Sequence, residues 1–415
     1  MAFSRYREVL RTPGIARLVA LTLVARSPIG MASLSILLLV SPRHGYGHAG
    51  VVVGTYVAVI GACAPVSTRL CARLGLRRVL VPMACGYCAA MIGLAIAANG
   101  PYVGVLACAV AAGISQPPVI AIVRGLWPRL FPPEQVPVLY GLEATAQELV
   151  FVFGPALVAL IAAVANARVA VVTTGVFALV GTVGLVSSPL VSDAPAVPGG
   201  RRRVLDRRLV VLIALGLTCT FAFNMVDIGV IAFMSGRHAG AASGIALSLW
   251  AVGSMVGGLL FGAARHASDN RAVARSVVVV AVGVALLAAA PGRVGLVVIL
   301  FGGGAAIAPA FARLYGLLAA GVPESATAEA FAWLGVGFLA GASLGAAAGG
   351  FTVEALGPRP TFLLAAVLPA AYAVAMLYLD WVRRPAAGLA ASGSGSVSVS
   401  VSGSVSGEPR PSPVR

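Results

Sequence analysis

Along residues 15–382, long apolar runs alternate with short polar ones. A membrane-spanning helix needs about 20 mostly apolar residues. Twelve segments meet that length, at 15–40, 48–67, 79–98, 102–124, 138–164, 168–191, 209–233, 239–263, 275–291, 294–317, 326–352 and 360–382. The pattern therefore predicts an all-α polytopic membrane protein with twelve transmembrane helices. The first apolar run is too long for a cleavable signal peptide, and further spans follow it. The longest internal polar stretch, 192–208, holds Pro195, Pro198, Gly199 and Gly200 before a cluster of arginines. It divides the chain into a cytoplasmic N-terminus (1–14), a first six-helix bundle (15–191), a basic linker (192–208), a second six-helix bundle (209–382) and a tail (383–415). The tail is Gly/Ser/Val low complexity, and disorder is expected there.

The two halves repeat. His48-Ala49-Gly50 with Gly54 recurs as His238-Ala239-Gly240 with Gly244, at the starts of spans two and eight. Glu143, Glu148 and Gly154 in span five recur as Glu324, Glu329 and Gly335 in span eleven. Both matches fall at the same place in the six-span order, which implies two pseudo-symmetric bundles.

Composition agrees with this reading. Of 415 residues, 59% are hydrophobic and 10% charged, against about 25% charged in a soluble domain. A large soluble enzyme and a disordered protein are both excluded. The net charge of +16 first suggests nucleic acid. All 29 basic residues are arginine, however, and their placement explains the charge. With the N-terminus cytoplasmic, 23 arginines lie in inner segments, 5 in outer loops, and one, Arg26, lies inside span one. That bias is the positive-inside signal, so both termini are expected in the cytoplasm and no nucleic-acid partner is expected. The arginine, glycine and alanine bias points to a high-GC bacterial gene and to the inner membrane.

Cys63, Cys71, Cys85, Cys88, Cys108 and Cys219 lie almost entirely in apolar runs and read as small buried hydrophobes. His44, His48, His238 and His266 show no metal-ligand spacing. No metal and no cofactor are expected.

Ionisable residues within spans are costly and mark candidate sites. Arg26 is about 16 Å deep, counting 1.5 Å per residue. Glu148 lies near the middle of span five, with Glu143 closer to the cytoplasmic face. Asp227, one turn beyond Asn224, lies in the outer part of span seven, and Glu329 is about one turn into span eleven. Desolvation favours the protonated form of a carboxyl group, and a nearby cation opposes it. A pair of Arg26 with Glu148 would therefore switch with protonation. Arg124 and Arg313, at the inner ends of spans four and ten, read as interfacial anchors. Gln116-Pro117-Pro118 in span four and Gly302-Gly303-Gly304 with Pro309 in span ten interrupt corresponding helices, as binding sites and gates often do.

Two six-span halves joined by a basic loop resemble the major facilitator superfamily of secondary transporters. Residues 68–78, with Arg69, Arg73, Gly75 and Arg77, are similar to that family's loop Gly-x-Leu-Ala-Asp-Arg-x-Gly-Arg-Arg. Thr68 and Ala72 stand in place of its first Gly and its Asp. Gly141 and Gly154-Pro155 in span five partly resemble the antiporter motif of proton-coupled exporters, with Val150 at the middle glycine. Small residues there would let span five approach a neighbour closely, and Pro155 would bend it. The resemblance implies a monomeric transporter, with protons as the coupling ion, that exports a small drug-like molecule or secondary metabolite by alternating access. The alternative is import of a sugar, amino acid or organic anion, with Arg26 binding a carboxylate.

Overall fold

In the computed structural model, residues 14–130, 136–192, 207–235, 242–261, 270–322 and 327–392 are described. All regular structure among them is helical. The first helix, α1 (Ile15–Leu74), is 60 residues long, three times what a bilayer needs. It is broken at Gly45, whose φ of 78° and ψ of 168° are non-helical. Ile15, Leu18 and Cys71 lie in one apolar cluster, so the two arms fold back and their ends meet at the same side. α1 is thus spans one and two joined at a turn, and it ends at Gly75, with φ 89°. At both turns the backbone adopts a conformation that favours glycine.

The sequence Thr68–Leu74 is consequently the last turns of span two rather than a loop. Arg73 sits in the final turn, where a cation complements the helix dipole. Arg77 and Arg78 follow in the first turn of α2 (Leu76–Ala97). Arg69, Arg73, Arg77 and Arg78 are all exposed.

Span four is two helices, α3 (Tyr102–Ser115) and α4 (Val119–Leu130), separated at Gln116-Pro117-Pro118. Pro117 and Pro118 supply no N–H donors for a continuous helix. α5 (Val136–Val164) and α6 (Ala167–Val186) complete the first half. Asn166 caps α6, its side chain accepting from the Val169 N–H at 3.0 Å. The second half comprises α7 (Arg207–Ser235), α8 (Ala242–Phe261) and α9 (Asn270–Leu286). Span ten is again split, into α10 (Arg293–Gly304) and α11 (Ile307–Ala320). The break falls at Ala305-Ala306, just after the Gly302–Gly304 run expected to interrupt it. α12 (Thr327–Leu356) and α13 (Pro358–Ser392) follow. α13 runs ten residues past the expected end of span twelve, through Pro385 and Gly388. Eleven of the described helical stretches are long and apolar enough to cross a membrane. Counting the two arms of α1 separately gives twelve.

The apolar core is divided unequally along the membrane normal. At the arginine-poor end, one cluster draws on both halves, from Met31, Val53, Met91 and Val158 to Val226, Leu247, Leu300 and Phe362. At the arginine-rich end there are two separate clusters. One, around Leu18, Leu80, Val123 and Leu185, belongs to the first half. The other, around Leu212, Val277, Leu314 and Leu334, belongs to the second.

Candidate functional site

The halves are joined through spans two and eleven, and through spans five and eight. Span two supplies a row of glycines. A Cβ on Gly50 would overlap the Ala346 carbonyl oxygen, and one on Gly54 would lie 2.6 Å from that of Ser343. Ser343 in turn donates from Oγ to the Gly54 carbonyl at 2.7 Å. Across the other seam, a Cβ on Gly244 would overlap the Pro155 carbonyl and stand 2.5 Å from the Ala159 methyl. Gly54 and Gly244 are the repeat-related pair, so the duplicated motif supplies both seams. At the outermost point, Gly47 N–H donates to Oε2 of Glu354, the acid at the end of α12, at 2.6 Å. Glu354 also abuts Gly45. A carboxylate there meets the start of span two, where unsatisfied N–H groups favour negative charge.

Within the first half, Arg26 is fully buried on span one. Two close crossings frame it. One turn beyond, Gly30 lies against the Val150 backbone and against Gly154. On the other side, Gly181 of α6 lies against Ala25. Gly154 thus does bring span five close to a neighbour, and that neighbour is span one. The Gln147 Oε1 and the Thr182 Oγ1 are buried without hydrogen-bond partners among the described residues. Spans five and six therefore each carry a buried polar atom with unused hydrogen-bonding capacity beside the buried Arg26, in an environment where that is costly. Nearer the outer end, Tyr56 donates to Gln116 Oε1 at 3.2 Å and pairs with the Tyr87 hydroxyl at 3.1 Å. This network ties spans two and three to the break in span four.

Glu148 is half-buried on α5. It lies within electrostatic reach of Tyr315 on α11, which also feels Arg124 on α4. Tyr315 of the second half thus feels the charges of two first-half residues, Glu148 and Arg124. Asp227 is half-buried on α7. Asn224, one turn before it, turns its amide back onto its own helix, donating to the Thr220 carbonyl at 3.0 Å. Glu329 lies in the first turn of α12, where the helix dipole accounts for an acid. Arg313 is more than an interfacial anchor, since its guanidinium donates to the Ser276 hydroxyl on α9. Gly141 lies on α5, the side chain of Glu143 lies outside the described residues, and so do residues 193–206 of the linker, Glu324 and His238. His48 packs edge-on against Tyr102, with ring centroids 4.7 Å apart.

Two features escaped the sequence pattern. Glu354 stands at the outer end of its span, where an acid reads as an ordinary interfacial residue. A set of aromatic rings in the second half is scattered over spans seven, eight, ten and eleven, and only the helix rotations bring them together.

No curated protein matches the chain significantly in sequence. Its fold is that of solved transporter structures. A point mutant of the nucleoside transporter NupG aligns with TM-score 0.70 and 12% identity, covering 88% of this chain and 98% of that one. NupG itself aligns at TM-score 0.65 with 13% identity, over the same shares. The human organic anion transporter MFSD10 (TETRAN) aligns at TM-score 0.58 with 15% identity, covering 88% of this chain and all of that one. The Major Facilitator Superfamily profile matches residues 18–312. Twelve spans in two related six-helix halves, and a profile match over most of its length, place the chain in the major facilitator superfamily.

Proposed function

We propose that this transporter is a proton-coupled exporter of a small drug-like molecule or secondary metabolite. It works by alternating access as a monomer in a bacterial inner membrane, with both termini cytoplasmic. The observation that carries this reading is the unequal joining of the halves: one shared apolar core at the arginine-poor end, two separate cores at the arginine-rich end. By the arginine bias, the separated end faces the cytoplasm. In this state a substrate would enter from the inside. Rocking of the halves would then transfer the seam to the inner end and open the outer one.

Coupling needs a group whose proton changes sides with the rocking. Glu148 suits this, because it lies on α5 of the first half and acts electrostatically on Tyr315 of the second. With the inner end open, Glu148 releases its proton to the cytoplasm and the substrate binds. With the outer end open, it takes a proton from the outside and the substrate leaves. Asp227 is the second candidate carboxylate, on a span of the other half. The crossing of Gly154 on Gly30 fixes span five against span one, so that Arg26 and Glu148 ride on one rigid unit.

Transport into inside-out vesicles tests the reading. A pH gradient, acid inside, should drive accumulation of an exported compound, and an uncoupler should abolish it. Glu148→Gln combined with Asp227→Asn should abolish gradient-driven accumulation while leaving exchange down a substrate gradient. Unchanged coupled transport in the double variant would refute the carboxylate assignment. Accumulation in intact cells in place of vesicles would favour import.

A further inference from the structure

The second half carries a connected set of aromatic rings that the transport scheme leaves unused. On α7, Phe223 meets Trp250 of α8 edge-on, with centroids 5.5 Å apart, and Phe311 of α11 at 5.9 Å. Phe311 continues to Tyr315, one turn along, at 6.0 Å, and to Phe338 of α12 at 5.4 Å. Tyr315 reaches Phe331 of α12 at 5.8 Å and Phe338 at 6.3 Å. All these separations lie in the range in which aromatic pairs attract. Four spans thus contribute to one continuous network.

These rings are not an ordinary core. The fully buried rings of this protein include Tyr87 and Phe362. Phe223, Phe311, Phe331 and Phe338 only flank the inner apolar cluster of the second half and keep exposed surface. Tyr315 is 37% exposed. Exposure alone would fit a lipid-facing ring. The network, however, includes rings on spans eight and eleven, the spans that join this half to the first, and Tyr315 also feels the charges of Arg124 and Glu148 of the first half, so the rings lie on the side that meets the junction. The first half presents charge there, and the second half presents ring faces and edges. The described ring contacts of the first half are elsewhere: His44 and His48 on Tyr102 at the outer end, and the buried pair Tyr56–Tyr87.

We propose that the network of Phe223, Trp250, Phe311, Tyr315, Phe331 and Phe338 is the substrate-binding surface of the second half, and that the substrate is a planar aromatic molecule bearing a polar group. The flat ring system stacks along the network, and the polar group points across the junction to Arg124 and Glu148. The proposal rests on the transporter reading above but not on proton coupling or direction, because binding is measured without a gradient.

The experiment uses the full chain purified in detergent or nanodiscs. The probes are proflavine, a planar aromatic cation, anthracene-9-carboxylate, a planar aromatic anion, and the saturated ring analogue of whichever binds. Saturable binding of at least one planar probe is expected. The saturated analogue should bind about tenfold more weakly, as loss of aromatic stacking implies. Phe311→Leu and Phe223→Leu keep apolar bulk but remove the ring. Each should weaken the planar probe several-fold and leave the weak binding of the saturated analogue unchanged. A melting curve and elution profile matching the parent will show that the variants are folded. If Phe311→Leu lowers stability, Tyr315→Leu, at a more exposed ring, serves in its place. The proposal is overturned if neither planar probe binds, if flat and saturated probes bind equally, or if folded variants bind the planar probe as the parent does. Intact stacking with failed gradient-driven transport would instead count only against the coupling scheme.

Discussion

The two ends of this transporter are built on different principles. At the arginine-poor end the halves meet backbone to backbone. Gly50 and Gly54 admit the Ala346 and Ser343 carbonyls, Gly244 admits that of Pro155, and Glu354 accepts from Gly47. At the arginine-rich end each half keeps its own apolar core. Between the halves, Tyr315 of the second feels the charges of Arg124 and Glu148 of the first. A glycine seam is dry and short-ranged, and in lipid such association rests on van der Waals packing and hydrogen bonds. It can close firmly and open without leaving large apolar side chains stranded. Charged groups suit the end where, in the proposed scheme, water and substrate enter and the proton leaves.

The strongest way to break this contrast is to fill the seam. Gly50→Leu places a side chain where the Ala346 carbonyl now lies. Overpacking of this kind costs about 1–3 kcal/mol, which acts against the outer-closed arrangement alone. At about tenfold per 1.4 kcal/mol, the population should shift up to a hundredfold toward outer opening. Thiol labelling at the outer end, together with a melting curve, reads this. A variant as closed as the parent would mean the seam is not the gate.

A smaller effect is expected from Glu354→Ala, which removes the acceptor for Gly47 N–H and the negative charge at the start of span two. Glu354 is exposed, so the loss should be about 1 kcal/mol, or about fivefold in population. Glu354→Gln should fall between parent and Ala, since the amide oxygen still accepts. Equal effects of Ala and Gln would show that charge matters and the hydrogen bond does not. The smallest shift belongs to Ser343→Ala, which deletes one hydrogen bond to the Gly54 carbonyl and should cost about 0.5–1 kcal/mol. Initial transport rates should change about two- to fivefold. Any larger change would point to a role for Ser343 beyond the seam.

Much of this architecture was legible in the chain. Apolar run length and arginine spacing gave the spans and the two halves. Pro117-Pro118 and Gly302–Gly304 marked the broken helices, because a missing N–H or a missing side chain weakens a helix wherever it is packed. The repeated His-Ala-Gly-x-x-x-Gly motif marked corresponding places in the two halves. What it could not show was that Gly54 and Gly244 face the opposite half, because with 50 glycines in the chain nothing distinguishes a seam glycine from any other. Burial of Arg26 and Glu148 followed from depth alone. Their neighbours did not, since an α-helix turns about 100° per residue. A small error in rotation changes which side chains a buried charge meets. Glu354 and the aromatic network were illegible for the same reason: each depends on residues far apart in sequence meeting across packed helices.

The central claim is that the two ends open in alternation, under control of protonation. Distances between paired spin labels by double electron–electron resonance test it most directly. In a background lacking the six native cysteines, one label pair is placed at Val103 and Val294 on the outer end and another at Leu74 and Leu259 on the inner end. All four positions are exposed. On changing pH across the range in which transport is coupled, the outer distance should lengthen as the inner one shortens. Glu148→Gln with Asp227→Asn should remove the pH response. Distances that do not change, or that lengthen together at both ends, would contradict the account.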